Sequence, residues 1–163
     1  MWLTSEQLLL LLLLLLANGS PLIARELLRS GLGRPVDGGL RFIDGRPLFG
    51  PTKTLRGLGA ALLITPLASV LFGLGWELGL LIGLFAMLGD LFSSFVKRRL
   101  GRPSSSRALG LDQIPESLFP LLACRPLVEL AAVQIVLLVV LFFISELVLS
   151  RILYWLHIRR HPY

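Results

Sequence analysis

Gly89-Asp90-Leu91-Phe92-Ser93-Ser94-Phe95-Val96-Lys97-Arg98 places an acid, hydroxyls and two cations at the end of an otherwise apolar stretch. Asp90, Ser94 and Lys97 are spaced i, i+4, i+7, so as a helix they share one face, with Arg98 beside them. In a membrane-spanning helix a carboxylate costs about 2.5–3.5 kcal/mol unless it is paired or bound to a cation. An acid deep in the helix with cations at its end suits a metal-phosphate site. The competing reading is a snorkelling Lys/Arg collar around one structural acid.

A second group is Gly50-Pro51-Thr52-Lys53-Thr54-Leu55-Arg56-Gly57. Gly50 permits unusual backbone angles and close approach to a ligand. Lys53 and Arg56 supply charge, Thr54 a hydroxyl, and the helix that follows offers N–H groups to an anion. The segment lacks the G-x-x-x-x-G-K-[ST] pattern of a Walker A loop, and a capped helix start explains it equally well. The third group is Leu111-Asp112-Gln113-Ile114-Pro115-Glu116. Asp112 and Glu116 are i, i+4 and could face a cavity shared with Asp90. Carboxylates on two helix ends, flanked by cations, offer the hard oxygen ligands and charge that Mg²⁺ with a nucleoside triphosphate requires. For Glu116 the alternative is an acid complementing a helix N-terminus. Asn18-Gly19-Ser20-Pro21 breaks a leucine-rich helix, as a proline kink or as a polar lining.

These residues must be positioned by a membrane fold. The chain has 163 residues, of which 55% are hydrophobic and 16% charged, with a mean hydropathy of +0.79. Soluble domains carry roughly a quarter charged residues, so a water-soluble enzyme is excluded. The expected fold is an all-α integral membrane protein of about five transmembrane helices with two cytoplasmic loops, as a single domain over residues 1–163. The spans fall at about Glu6–Leu28, Leu58–Trp76, Leu78–Val96, a short fourth at about Gln113–Ala123, and Leu127–Leu156. A cleaved leader is the competing reading of the first, but Met1 to Gln7 lacks its positive charge and holds only Glu6. Fifteen of the sixteen Lys and Arg cluster around Arg25 to Arg56, Lys97 to Arg107, and Arg151 to Arg160. An outside N-terminus and a cytoplasmic C-terminus put all fifteen on the inner side, leaving Arg125 opposite. The net charge of +6 therefore points to cytoplasmic loops and anionic membrane partners, not to nucleic acid. One cysteine, Cys124, excludes an internal disulfide. His157 and His161 read as surface residues of a basic tail. Gly57-Leu58-Gly59 and Gly73-x-Gly75 permit close helix packing, within one chain or in a homodimer.

Together these segments resemble the CDP-archaeol synthase family, membrane CTP:lipid-phosphate cytidylyltransferases related to CDP-diacylglycerol synthase. Gly89 to Arg98 is similar to the family's G-D-x-x-x-S-x-x-K-R, and Gly50 to Gly57 to its G-x-x-K-T-x-R-G. Asp44-Gly45-Arg46 resembles the D-G-R before it, Leu111-Asp112-Gln113 the L-D-Q of the fourth helix, and Asn18 to Pro21 the N-G-[AS]-P of the first. The match covers about residues 17–117. It departs at Pro115, where the family's L-D-Q-[LI]-D carries its second acid, and Glu116 stands one place later.

The resemblance implies transfer of CMP from CTP to a phosphatidate-like or archaetidate-like lipid phosphate, giving a CDP-lipid and pyrophosphate, with Mg²⁺ as cofactor, in a prokaryotic-type inner membrane. Asp90, Lys97 and Asp112 would form the catalytic set. Asp90 and Asp112 would bind the metal, with Glu116 as the contested further ligand. Lys53, Arg56, Lys97 and Arg98 would hold phosphates, Thr54 and Ser94 would donate hydrogen bonds, and Gly50 would admit the nucleotide. The alternative from another class is a non-catalytic membrane protein, a transporter subunit or an anionic-lipid-binding scaffold. A CDP-alcohol phosphatidyltransferase does not fit, since neither Asp37-Gly38 nor Asp44-Gly45 continues as its motif requires.

Overall fold

The computed structural model describes residues 4–28, 33–106 and 108–155. Arg29, Gly31, Arg107, His157, Arg159, Arg160 and His161 lie outside the described residues. Five helices follow one another: α1 (Ser5–Leu27), α2 (Leu55–Leu71), α3 (Trp76–Arg99), α4 (Gln113–Cys124) and α5 (Ala132–Trp155). The described residues contain no β-strand beyond two isolated bridges in the loop before α2, Pro35 with Thr54 and Arg41 with Pro47.

Local chemistry sets the helix ends. Thr4 and Gln7 form a capping box that starts α1. Thr54 caps α2 by accepting from the Gly57 N–H at 3.3 Å, so this helix begins three residues before its apolar run does. Gly73 and Gly75, at φ +76° and +81°, make the α2–α3 turn, a backbone that β-carbon-bearing residues resist. The expected fifth stretch from Leu127 instead begins at Ala132. Arg125-Pro126 ends α4, and residues 125–128 form a turn.

Three helices, α1, α3 and α5, are long and apolar enough to cross a membrane. The 17 residues of α2 extend about 26 Å and the 12 of α4 about 18 Å, against a hydrocarbon core of about 30 Å. Outward faces are apolar. Leu80, Leu84, Leu88 and Phe92 are exposed along α3, and Val133, Val136, Val140, Ile144 and Val148 along α5. Such stripes at helical spacing suit lipid, not water. This is an integral membrane protein.

The core gathers Leu10, Leu13 and Leu14 of α1, Ile82 and Ala86 of α3, Leu121 of α4 and Phe142 of α5. Glycines bring α3 close to its neighbours. Gly79 lies on Pro66 and Ser69 of α2, and Gly89 on the backbone of Pro115 at the start of α4. Gly57 lies against Pro21 of α1, so one of the small-residue faces open to a partner chain is occupied within the chain.

Candidate active site

The inner face of α3 carries Ser94 and Lys97, both buried, one and two turns beyond Asp90. The expected stripe therefore faces the protein, while Phe92 on the opposite side faces outward. Loop one, between α1 and α2, delivers Lys53 to this stripe, where its Nζ pairs with Asp90 Oδ1. Burial disfavours the Lys53 ammonium, but the Asp90 carboxylate, followed by Glu116 and Asp112, outweighs that and raises its affinity for the proton above the ordinary lysine value.

Glu116 is buried and stands within hydrogen-bonding reach of Asp90, in the field of Lys53 and of Glu146 on α5. The shift by one residue past Pro115 thus still delivers a carboxyl to the α3 acid. Pro115, in the first turn of α4 where its missing N–H costs little, presents its backbone to Gly89 and so fixes the rotation of the helix. Glu146 was not singled out from the sequence. An acid inside an apolar helix was the signal for it, since such residues are costly and functional by default.

Asp112 faces the same site, in the field of Lys53, and pairs there with Lys97. Its Oδ1 is 2.6 Å from Lys97 Nζ, and its Oδ2 accepts from the Ala108 N–H at 2.9 Å. The two i, i+4 acids therefore divide, Glu116 to Asp90 and Asp112 to Lys97. Lys97 also donates to the Ser106 carbonyl at 3.1 Å. The site holds two cation–carboxylate pairs side by side, each joining a loop or helix end to α3.

The remaining predicted residues surround these pairs. Arg98 is buried and donates to Ser104 Oγ at 2.9 Å and to the Pro103 carbonyl at 2.8 Å, holding loop two, between α3 and α4. Gly50, at φ +98°, faces that serine, and a β-carbon there would lie 2.5 Å from Ser104 Oγ. The positive φ favours glycine, and a side chain there would also displace the Ser104 hydroxyl that receives Arg98. The Thr54 hydroxyl is engaged as the α2 cap. Arg56 reaches back from α2 to the Leu28 carbonyl at the end of α1.

Two supports were not legible in the motifs. Asp37 is buried and receives the N–H groups of Gly39 at 2.9 Å, Phe49 at 2.9 Å and Gly50 at 3.0 Å. Burial pushes its pKa up, yet these backbone donors outweigh it and hold the carboxyl below its ordinary value. Arg99 fastens the hairpin of loop one to the end of α3. It pairs with Asp44 at 2.6 Å, donates to the Pro47 carbonyl at 2.6 Å, and lies 4.8 and 4.9 Å from the ring centres of Phe42 and Phe95. Arg46 returns the contact by donating to the Arg99 carbonyl at 2.5 Å, one of the acceptors a helix C-terminus leaves open. The signal for Asp37 was the Asp-Gly-Gly turn, since Asp side chains bond backbone two residues on.

Chemically, Asp90 and Glu116 are hard oxygen donors on facing helices. Among the described residues there is no group of three or more His, Cys, Asp and Glu able to hold a metal. A small divalent cation bound with a polyphosphate needs only one or two carboxylates, because phosphate oxygens and water fill its remaining positions. The donor set fits that role.

Comparison with known proteins agrees with this arrangement. The family described as CarS-like CDP-archaeol synthase matches residues 5–163. The CDP-archaeol synthase of Saccharolobus islandicus (strain Y.N.15.51 / Yellowstone #2) is 46% identical over 105 residues, 61% of this chain and 59% of that protein. The match therefore spans less than two thirds of that relative's length. The CDP-archaeol synthase of Thermococcus onnurineus is 38% identical over 135 residues, 76% of each chain. A solved structure of an intramembrane enzyme for archaeal membrane lipids biosynthesis superposes with a TM-score of 0.74 at 32% identity, over 89% of this chain and 92% of the other. With Lys53 carried to Asp90 and an acid of α4 meeting it across Gly89, the motifs and the fold agree, and the chain belongs to the CarS-like CDP-archaeol synthase family.

Proposed function

We propose that the protein is a CTP-dependent lipid-phosphate cytidylyltransferase, forming a CDP-activated lipid for membrane phospholipid biosynthesis. The observation that carries this reading is the meeting of Lys53 with Asp90, with Glu116 beside them. It unites three segments distant in sequence at one polar site in an apolar fold. An oxygen of the lipid phosphate attacks the α-phosphorus of CTP, and the bond from that phosphorus to the β-phosphate bridging oxygen breaks, releasing pyrophosphate. Such a transfer requires alignment and charge neutralisation and no protein nucleophile.

Lys53 and Lys97, held next to each other by their acids, would bind the triphosphate, with Arg56 and Arg98 at its edges. Gly50 leaves the close approach open, and Ser94 contributes a hydroxyl from the α3 face. Asp90 and Glu116 would hold Mg²⁺, with Asp112 on the Lys97 side as the further candidate. When bound, that ion would neutralise phosphate charge and polarise the reacting phosphorus. An ether-linked isoprenoid lipid phosphate of the archaetidate type is the acceptor the family favours.

In this reading all five helices are membrane-embedded in a prokaryotic-type inner membrane as one domain, with α2 and α4 short because both end at the polar site. Loops one and two are cytoplasmic, the N-terminus is outside and the C-terminus inside. A homodimer is compatible with the open surface at Gly59, where no atom of the described chain approaches.

The test is incubation of the detergent-purified protein with radiolabelled CTP, Mg²⁺ and a panel of isoprenoid-ether and acyl-ester lipid phosphates. A labelled CDP-lipid from at least one, with release of pyrophosphate, is expected. Absence of product from every lipid would refute the reading.

A further inference from the structure

In the structure each expected phosphate-binding lysine is already engaged by a carboxylate. Lys53 comes from loop one, 37 residues before Asp90 in sequence, and among the described residues it is the only cation in a salt bridge with Asp90. Glu116, only 8% exposed, stands within hydrogen-bonding reach of Asp90 and in the field of Lys53. The Lys53 ammonium therefore occupies an oxygen of Asp90, the acid that with the neighbouring Glu116 would hold a divalent cation. The backbone beneath it is fixed: Val36 N–H donates to the Lys53 carbonyl at 2.7 Å, and Thr54 caps α2 immediately after. The side chain can move while its backbone stays in place.

Building on the functional reading above, we infer that Lys53 is a stand-in cation, holding the metal position until a nucleotide draws it away. A divalent cation arriving alone meets an ammonium in its place, and two positive charges cannot share the pair. A triphosphate arriving alone can engage Lys53, but it then leaves the largely buried Asp90 carboxylate without its paired cation, an arrangement such a site disfavours. Together the two ligands relieve both costs, since the phosphates take the ammonium and the metal takes the carboxyls. Nucleotide and divalent cation are therefore linked ligands, and each raises the affinity for the other by the same factor. Free divalent cation is excluded from the resting site, which keeps the acids from being titrated by ambient metal.

Mn²⁺ binding to the full chain in detergent, followed by electron paramagnetic resonance with and without CTP, tests this. For the wild type, Mn²⁺ alone is expected to bind weakly, and saturating CTP to tighten it about tenfold or more, within the usual range of coupling between sites. Lys53→Met is expected to bind Mn²⁺ without nucleotide about tenfold more tightly than the wild type. Lys53→Arg, which keeps a cation on Asp90, is expected to bind it as weakly as the wild type. Adding Asp90→Asn to Lys53→Met should abolish the gain, which locates the Mn²⁺ at Asp90. Mn²⁺ affinity that is the same with and without CTP overturns the inference, as does a Lys53→Met protein that gains nothing. The wild-type measurement stands by itself should a variant not fold. CTP that fails to bind under any condition brings down the functional reading and this inference with it, whereas CTP binding without linkage brings down only this one.

Discussion

At the scale of single residues, the contrast between Asp37 and Asp90 explains how loop one reaches α3. Asp37 organises backbone, taking the N–H groups of Phe49 and Gly50 on one oxygen and that of Gly39 on the other. Those donors act on the charged carboxylate, so its pKa lies below the ordinary 3.8. A depressed carboxylate stabilises the fold fully above its unfolded value and loses that contribution as pH falls through the folded one. Loop one should therefore stay ordered from neutral pH down to the ordinary aspartate range and open only below it. Asp37→Asn should weaken the loop at neutral pH by roughly 1–3 kcal/mol, the cost of stranding buried donors, and remove the acid limb of its stability, so that the two proteins converge as pH falls through the folded Asp37 pKa. Hydrogen exchange at the Phe49 and Gly50 amides would report both effects. Equal protection in the two proteins would show that Asp37 does not hold the loop.

At the scale of elements, the α3–α4 crossing decides where the acids point. Gly89 leaves room for the Pro115 backbone, and a β-carbon at 89 would lie 2.8 Å from Glu116 N and closer still to the Pro115 carbonyl. Backbone cannot step aside as a flexible side chain can, so α4 would have to move. Gly89→Ala should thus cost about 1–3 kcal/mol, the usual penalty of overpacking, and reduce activity by displacing Glu116. Gly59→Ala is the matched control, because that position has open space and alanine favours a helix by about 1 kcal/mol. Thermal unfolding in detergent should separate the two variants. If Gly89→Ala unfolds no earlier than Gly59→Ala, the crossing is not as tight as described. On the other side of the site, the Arg99 clamp on Asp44, Phe42 and Phe95 binds loop one to the turn of α3 that carries Lys97 and Arg98. A planar fork that both pairs and stacks is a role lysine does not reproduce.

At the scale of the whole molecule, the short helices and the charge distribution bear on topology. In the orientation proposed above, the exposed tip of loop one, Ile43 at 94%, would lie on the cytoplasmic side and the α2–α3 turn next to Trp76 on the other. Cys124 is fully buried, which leaves little background for thiol labelling. Ile43→Cys should resist a membrane-impermeant maleimide in intact cells and react once they are permeabilised. Trp76→Cys should react without permeabilisation. The reverse pattern would invert the orientation proposed from the positive charges.

Much of this architecture could be read from the residues in order. The five helices were visible as apolar runs, because lipid demands apolar surface along the whole length of a helix and tolerates no mixed exterior. The Asp90, Ser94, Lys97 face followed from helical periodicity, and the motif resemblance named the participants. Sequence could not say which acid each lysine meets. Asp112 and Glu116 share a helical spacing, yet one goes to Lys97 and the other to Asp90, because the contact of Gly89 with Pro115 sets the rotation of α4. Asp37 and Glu146 were likewise hidden, the first because its partners are backbone amides that any residue carries, the second because only the packing of α5 brings it towards the site. Residue types and local spacing determined the membrane fold and the chemical groups available; pairing between groups distant along the chain was left to tertiary structure, since charges find partners through space and not through sequence order.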